Sequence, residues 1–210
     1  MIKRININGR DIGEGLPPYV IAEMSANHNG NLNAALRIIE EAKKAGADAI
    51  KIQTYRPDTI TLKSDLPDFQ ITDGLWAGRT LYDLYEWAHT PWEWHADIMK
   101  YAASLGLECF STPFDFTAVE FLEDLDVPAY KIASSELVDI PLIKRVAQTG
   151  KPMIISTGMG TLSEIDEAVK TARDGGCENI ALLKCTAAYP APVEEANLNT
   201  IPHMSKLYDV

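Results

Sequence analysis

Apolar runs long enough to cross a bilayer are missing: none approaches the roughly 20 residues that a spanning helix needs. The opening MIKRININGRDIGEG also lacks the apolar stretch of a secretory leader, so the expected compartment is the cytoplasm. Cysteine is scarce. Cys109, Cys177 and Cys185 are odd in number and lack metal-type spacing, which reads as reduced thiols rather than a disulfide framework. Cys109 and Cys185 sit in apolar, strand-like runs, so buried packing is their expected role. Positive charge is short as well: 19 Lys and Arg face 30 Asp and Glu, a net charge of −11. That balance argues against nucleic acid or an anionic membrane surface as the main partner. It leaves room for a small anionic ligand, because a few pocket lysines invert the local field. His89, His95 and His203 share no ligand spacing, and no metal site is expected among these residues. His28, in an Asn-rich turn, reads as a loop-fixing group, with metal ligation as the alternative.

What is present is an ordinary globular composition, 210 residues with 46% hydrophobic and 23% charged, enough for one domain with a sizeable core. A hairpin-like segment at 3–11 opens the chain. Apolar strand-like runs then alternate with amphipathic helical stretches, the pattern of βαβ units and a parallel sheet. Strands are expected at 19–23, 49–53, 107–111, 129–132, 153–156 and 180–184. Helices are expected near 32–45, 92–105, 118–125, 141–148 and 163–174, with a last one near 196–207 and Asp209-Val210 entering a further strand. Gly46, Gly106, Gly150 and Gly175-Gly176 punctuate helix ends. The fold class is therefore α/β, a (β/α)8 TIM barrel present as about six β/α units after an N-terminal β-hairpin. A full barrel takes about 250 residues, so residues 1–210 read as a partial, truncated barrel domain. A doubly wound sheet is the alternative, but its glycine-rich phosphate loop is missing after the first strand. The stretch 54–90 breaks the spacing and carries Tyr82, Tyr85, Trp76 and Trp87. It reads either as a lid or specificity element or as simple packing.

In a parallel barrel, polar residues at the carboxyl ends of strands are the first suspects for catalysis. Here they are Glu23, Lys51 and Gln53, Ser111-Thr112, Lys131 with Ser134, Ser135 and Glu136, Ser156-Thr157, and Lys184, Thr186 and Tyr189. Lys51 and Lys131 stand out, because an unpaired charge inside an apolar strand costs several kcal/mol. Each forms a buried salt bridge (to Glu23 or Glu136), clamps an anion with Ser and Thr hydroxyls, or forms a Schiff base. Glu23 accepts a proton, orients water, touches a metal, or simply partners Lys51.

Six segments occur in order: Ile21-Ala-Glu-Met-Ser-Ala-Asn-His-Asn-Gly30, Lys51-Ile-Gln53, Ser111-Thr-Pro-Phe114, Lys131-Ile-Ala-Ser-Ser-Glu136, Ser156-Thr-Gly-Met159 and Cys185-Thr-Ala-Ala-Tyr-Pro190. The set resembles the sialic acid synthases, which condense phosphoenolpyruvate with an N-acetylated amino sugar. Gly78-Arg-Thr-Leu-Tyr-Asp-Leu-Tyr85 with His89-Thr-Pro-Trp-Glu-Trp-His95 is most similar to the pseudaminic acid branch, whose sugar is 2,4-diacetamido-2,4,6-trideoxy-altrose. The resemblance implies that Lys51, Thr112, Lys131, Ser134 and Ser156 hold the phosphate and carboxylate of phosphoenolpyruvate. It places Gln53, Glu136 and Tyr189 near the sugar and Glu23 beside the reacting centre, making Glu23, Lys51 and Lys131 the catalytic candidates. It implies C3 attack on the sugar aldehyde, polarised by Mn²⁺ or Mg²⁺, then water addition at C2 and loss of phosphate by C–O cleavage. It also implies a homodimer at full length, with metal ligands beyond residue 210 and a C-terminal antifreeze-like domain absent from this chain, which by itself is expected to be inactive. Ala187 stands where relatives carry Ser or Asn, removing one phosphate hydrogen bond. The alternatives are an N-acetylneuraminate or legionaminate synthase, a Schiff-base barrel aldolase, and a non-catalytic barrel fragment.

Overall fold

A computed structural model describes residues 4–188 and 190–208, which fall into two compact units. One is Tyr19–Leu125; the other combines the segment up to Pro18 with the segment from Asp126 onward.

In the Tyr19–Leu125 unit three parallel strands, β3 (Ile21–Glu23), β4 (Ala49–Thr54) and β5 (Glu108–Pro113), alternate with helices. The first helix, α1 (Leu32–Lys44), is capped by Asn31, whose side chain accepts the Ala34 N–H. It presents Ala35, Ile39 and Ala42 to the core, the one-face spacing of an amphipathic helix. Gly46, at φ +87°, makes the left-handed turn out of it. Ile50, Ile52, Ile98, Leu107 and Cys109 join that core, so the alternate residues of β4, Lys51 and Gln53, lie on its other face. The break in regular spacing at 54–90 is ordered. It holds α2 (Pro57–Ile60), α3 (Leu81–Ala88) and a Gln70–Thr80 bridge. The helix read at 92–105 is a short 3₁₀ turn, Trp92–Trp94, followed by α4 (His95–Ser104). After β5 comes α5 (Phe116–Asp124), capped by Asp115.

In the other unit β1 (Arg4–Ile7) and β2 (Arg10–Gly13) form the hairpin. Asn8-Gly9 makes its two-residue turn, both residues at positive φ, as a type I′ connection demands. Three further parallel strands, β6 (Tyr130–Ile132), β7 (Met153–Ser156) and β8 (Ile180–Leu183), are joined by α6 (Ile140–Ala147) and α7 (Leu162–Asp174). Asp139 caps α6, and Thr161 with Glu164 forms a capping box on α7. The last helix, α8 (Thr200–Tyr208), starts four residues later than the periodicity predicts. Pro202 has no N–H to give Leu198, so the helix cannot run back to Ala196 in regular form. The strand expected at Asp209-Val210 lies outside the described residues.

Candidate active site

Among the described residues each unit carries one buried lysine, and the two are held by the same local device. Lys51 lies opposite Phe110 in the β4–β5 register. Its side chain leans along the strand, and Nζ donates to the Thr112 hydroxyl, two residues further on, at 3.1 Å. Lys131 lies opposite Ile154 in the β6–β7 register. Its Nζ donates to Ser156 Oγ, again two residues on, at 2.5 Å, and to the Ile132 carbonyl at 2.8 Å. The lysines are 7% and 6% exposed. A cation so far out of water persists only with strong partners, and both find them at the carboxyl ends of their strands.

Their charge partners differ. Lys51 is ion-paired to Glu23 Oε2 at 2.7 Å, so the salt-bridge reading holds for this lysine. The Glu23 side chain is itself 54% exposed; one carboxylate oxygen faces the lysine while the group stays in water. Ser25 donates a long 3.5 Å bond to Gln53 Oε1 beside it. In the other unit, Ser134 Oγ accepts the Gly158 N–H at 3.1 Å. Glu136 accepts from Ser135 Oγ at 2.7 Å. Burial pushes the Glu136 carboxyl above the usual carboxylate range, Asp139 adds to this, and the Ser135 bond and Lys131 oppose it. Lys184 donates to Thr186 Oγ1 and to the Glu195 carbonyl, tying down the segment after β8. Tyr189 lies outside the described residues.

The expected site residues thus gather into two clusters. Glu23, Lys51, Gln53 and Thr112 stand at the carboxyl ends of β3, β4 and β5, and Lys131, Ser134, Glu136 and Ser156 at those of β6 and β7. A lysine fork flanked by hydroxyl donors suits phosphate or carboxylate oxygens. His28 fixes its loop: it is fully buried, its Nδ1 accepts the Gly30 N–H and its Nε2 faces Thr90 Oγ1. His95 bonds Thr54 Oγ1 and the Pro91 carbonyl. With these rings engaged, and no cluster of three or more His, Cys, Asp or Glu able to hold a metal among the described residues, those residues do not fit the implied Mn²⁺ or Mg²⁺.

Two features escape the sequence reading. Cys185 is not packed inside a strand: β8 ends at Leu183, and the half-buried thiol stands 3.3 Å from Ser156 Oγ. The buried chain Ser111–Thr54–His95, with contacts of 2.6 and 2.8 Å, joins the ends of β4 and β5 to the start of α4. Spacing along the chain does not reveal it, because its members come from three elements. The aromatics of the 54–90 stretch divide: Tyr85 packs edge-on to Tyr55, whereas Trp76 and Trp87 stay nearly half exposed, with Arg79 over Trp87.

A family model described as the NeuB family matches residues 38–210. The chain is 47% identical over 192 residues to a pseudaminic acid synthase of Campylobacter jejuni, covering 91% of this chain and 56% of that protein. To the pseudaminic acid synthase of Helicobacter pylori it is 44% identical over 194 residues, covering 92% and 57%. The chain therefore spans less than two thirds of these relatives. Among solved structures, N-acetylneuraminic acid synthetase from Leptospira borgpetersenii, in complex with citrate, superimposes with a TM-score of 0.86 at 29% identity. That match covers 98% of this chain and 67% of the other. The α/β fold of the TIM-barrel class follows.

Proposed function

The chain belongs to the NeuB family, and we propose that its protein condenses phosphoenolpyruvate with an N-acetylated amino sugar to give a nonulosonic acid and phosphate. The observation that carries the proposal is the repeated lysine–hydroxyl fork: Lys51 with Thr112, and Lys131 with Ser156, both ammonium groups almost wholly buried. Phosphoenolpyruvate carries two anionic groups, a phosphate and a carboxylate, and a lysine–hydroxyl fork suits either. We assign Lys51, Thr112, Lys131, Ser134 and Ser156 to those anions. Fixed donors in a water-poor setting stabilise developing charge with little reorganisation.

In the proposed reaction the enol π-bond of phosphoenolpyruvate forms the new bond from C3 to the aldehyde carbon of the open sugar. The aldehyde oxygen takes the electron pair and then a proton. Water adds at the cationic C2, giving up a proton, and Glu23, with its half-solvated carboxylate beside Lys51, is the base we assign. The tetrahedral C2 then expels phosphate by breaking its C–O bond, leaving the ketone. Gln53, Glu136 and Tyr189 are assigned to the sugar. The sugar favoured is the 2,4-diacetamido-2,4,6-trideoxy-altrose of the pseudaminic acid branch, supported by the identity to two synthases of that name. The compartment assigned is the cytoplasm and the working form of the full-length protein a homodimer.

Borohydride treatment with pyruvate-type substrates tests the rival Schiff-base chemistry. No reduced adduct is expected on Lys51 or Lys131; a stoichiometric adduct on either would replace the anion-clamp account.

A further inference from the structure

Of the three cysteines, Cys185 alone touches the candidate catalytic groups. Cys109 is buried in β5, and burial, then Glu108, push its thiol up to about 12. Burial also raises the Cys177 thiol. Cys185 is half-buried just past the end of β8, with Sγ 3.3 Å from Ser156 Oγ.

The bonding at Ser156 fixes where its proton goes. The Lys131 ammonium has no lone pair, so in the 2.5 Å contact it donates and Ser156 Oγ accepts. The Cys185 thiol donates to the same oxygen. A hydroxyl has two lone pairs and one proton. With both lone pairs taken, the Ser156 proton is directed to neither neighbour and is available to a ligand. The corner around it is tight. A Cβ built on Gly158 would stand 2.9 Å from Ser134 Oγ and 3.3 Å from Cys185 Cβ. The thiol, the Ser134 hydroxyl and a bare stretch of backbone therefore crowd one corner.

We propose that Cys185 is a positioning residue for the phosphoenolpyruvate anion: its thiol fills the second lone pair of Ser156 and commits the serine proton to a phosphate or carboxylate oxygen. This rests on the reading that Lys131 and Ser156 hold that ligand. Without the thiol, Ser156 can rotate its proton away, and the anion loses one donor while the chemistry at C2 and C3 is untouched.

The test uses the full-length protein, with phosphate release as one readout and iodoacetamide labelling of each cysteine, followed by peptide mass spectrometry, as the other. Cys185→Ala should raise the KM for phosphoenolpyruvate roughly tenfold with kcat within about twofold, and Cys185→Ser, which keeps a donor, should restore most of it. Phosphoenolpyruvate should slow labelling of Cys185, while Cys109 and Cys177 stay unlabelled with or without it. An unchanged KM in Cys185→Ala, or an equal loss in the Ala and Ser variants, overturns the positioning role while leaving the synthase reading intact. A wild-type protein that neither releases phosphate nor protects Cys185 overturns that reading and this inference together.

Discussion

Acidifying the protein from pH 7.5 to 4.5 should remove stability that His95 contributes as a neutral imidazole. The ring is fully buried. Its Nδ1 lies 3.1 Å from the Pro91 carbonyl, which can only accept, so Nδ1 carries the proton. Nε2 then accepts from Thr54 Oγ1 at 2.8 Å, and Thr54 in turn accepts from Ser111 at 2.6 Å. Burial, which disfavours the charged ring, lowers its pKa from 6.5 to about 4, against the Pro91, Trp92 and Glu93 contributions that favour it. Because the folded value lies below the unfolded one, the contribution is complete above pH 6.5 and is lost as pH falls toward 4. At ~1.4 kcal/mol per pH unit the gap is worth about 3 kcal/mol, most of it gone by pH 4.5. For a chain of this size that is a fall in Tm of roughly 6–12 °C. Thermal unfolding followed by circular dichroism at pH 7.5, 6.5, 5.5 and 4.5 reads it. His28, also lowered by burial and His89, acts in the same direction. Glu136, raised by burial, stabilises the folded state below pH 4.5 and loses that contribution as pH rises, so it works in the opposite sense. His95→Phe separates the terms: less stable at pH 7.5, because Thr54 and the Pro91 carbonyl lose their partner, but with a much flatter pH dependence. A His95 imidazole titrating near 6.5 by NMR in the folded protein, or a His95→Phe variant as pH-sensitive as the wild type, would contradict this.

Lys51→Met should keep the fold, because Glu23 is half-exposed and can be rehydrated, so the stability change should stay within about 1 kcal/mol; kcat/KM for phosphoenolpyruvate should fall ~10²–10³-fold in a phosphate-release assay. Gly160→Ala and Gly158→Ala should separate packing from ligand binding. At Gly160 a Cβ would run into the Cδ2 of fully buried Leu137, so the variant should lose roughly 1–3 kcal/mol in denaturant unfolding. At Gly158 the near atoms are Ser134 Oγ, which can swing aside, and Cys185 Cβ at 3.3 Å; unfolding should change less than at Gly160 while calorimetric affinity for phosphoenolpyruvate falls.

The strands and their carboxyl-end polar residues were legible because parallel strands write continuous apolar runs, and a lysine within such a run is conspicuous. The hairpin expected at 3–11 is present, and the structure puts its turn at Asn8-Gly9. Boundaries were less visible. β5 runs on to Pro113 because Thr112 and Pro113 register against Gln53 and Thr54, a pairing that depends on a strand more than fifty residues away. Cys185 follows the apolar run that opens at Ile180 and reads as part of it, but β8 stops at Leu183, two residues short of the half-buried thiol. The Ser111–Thr54–His95 chain carries no local signature, since a buried histidine in Trp-Glu-Trp-His95 reads the same as an exposed one until the strands are assembled. The lysine pairing was legible only as a choice. The sequence named Glu23 as one partner for Lys51, and the 2.7 Å contact selects it.

Phosphate release from the full-length protein, given phosphoenolpyruvate, a divalent metal and either the altrose-derived diacetamido sugar or N-acetylmannosamine, reads the proposed reaction itself. Release should depend on the altrose sugar, with one phosphate per nonulosonic acid formed, and should be lost in Lys131→Ala. Release with N-acetylmannosamine alone would contradict the sugar assignment, and no release with either sugar from a folded, metal-loaded protein would contradict the synthase reading itself.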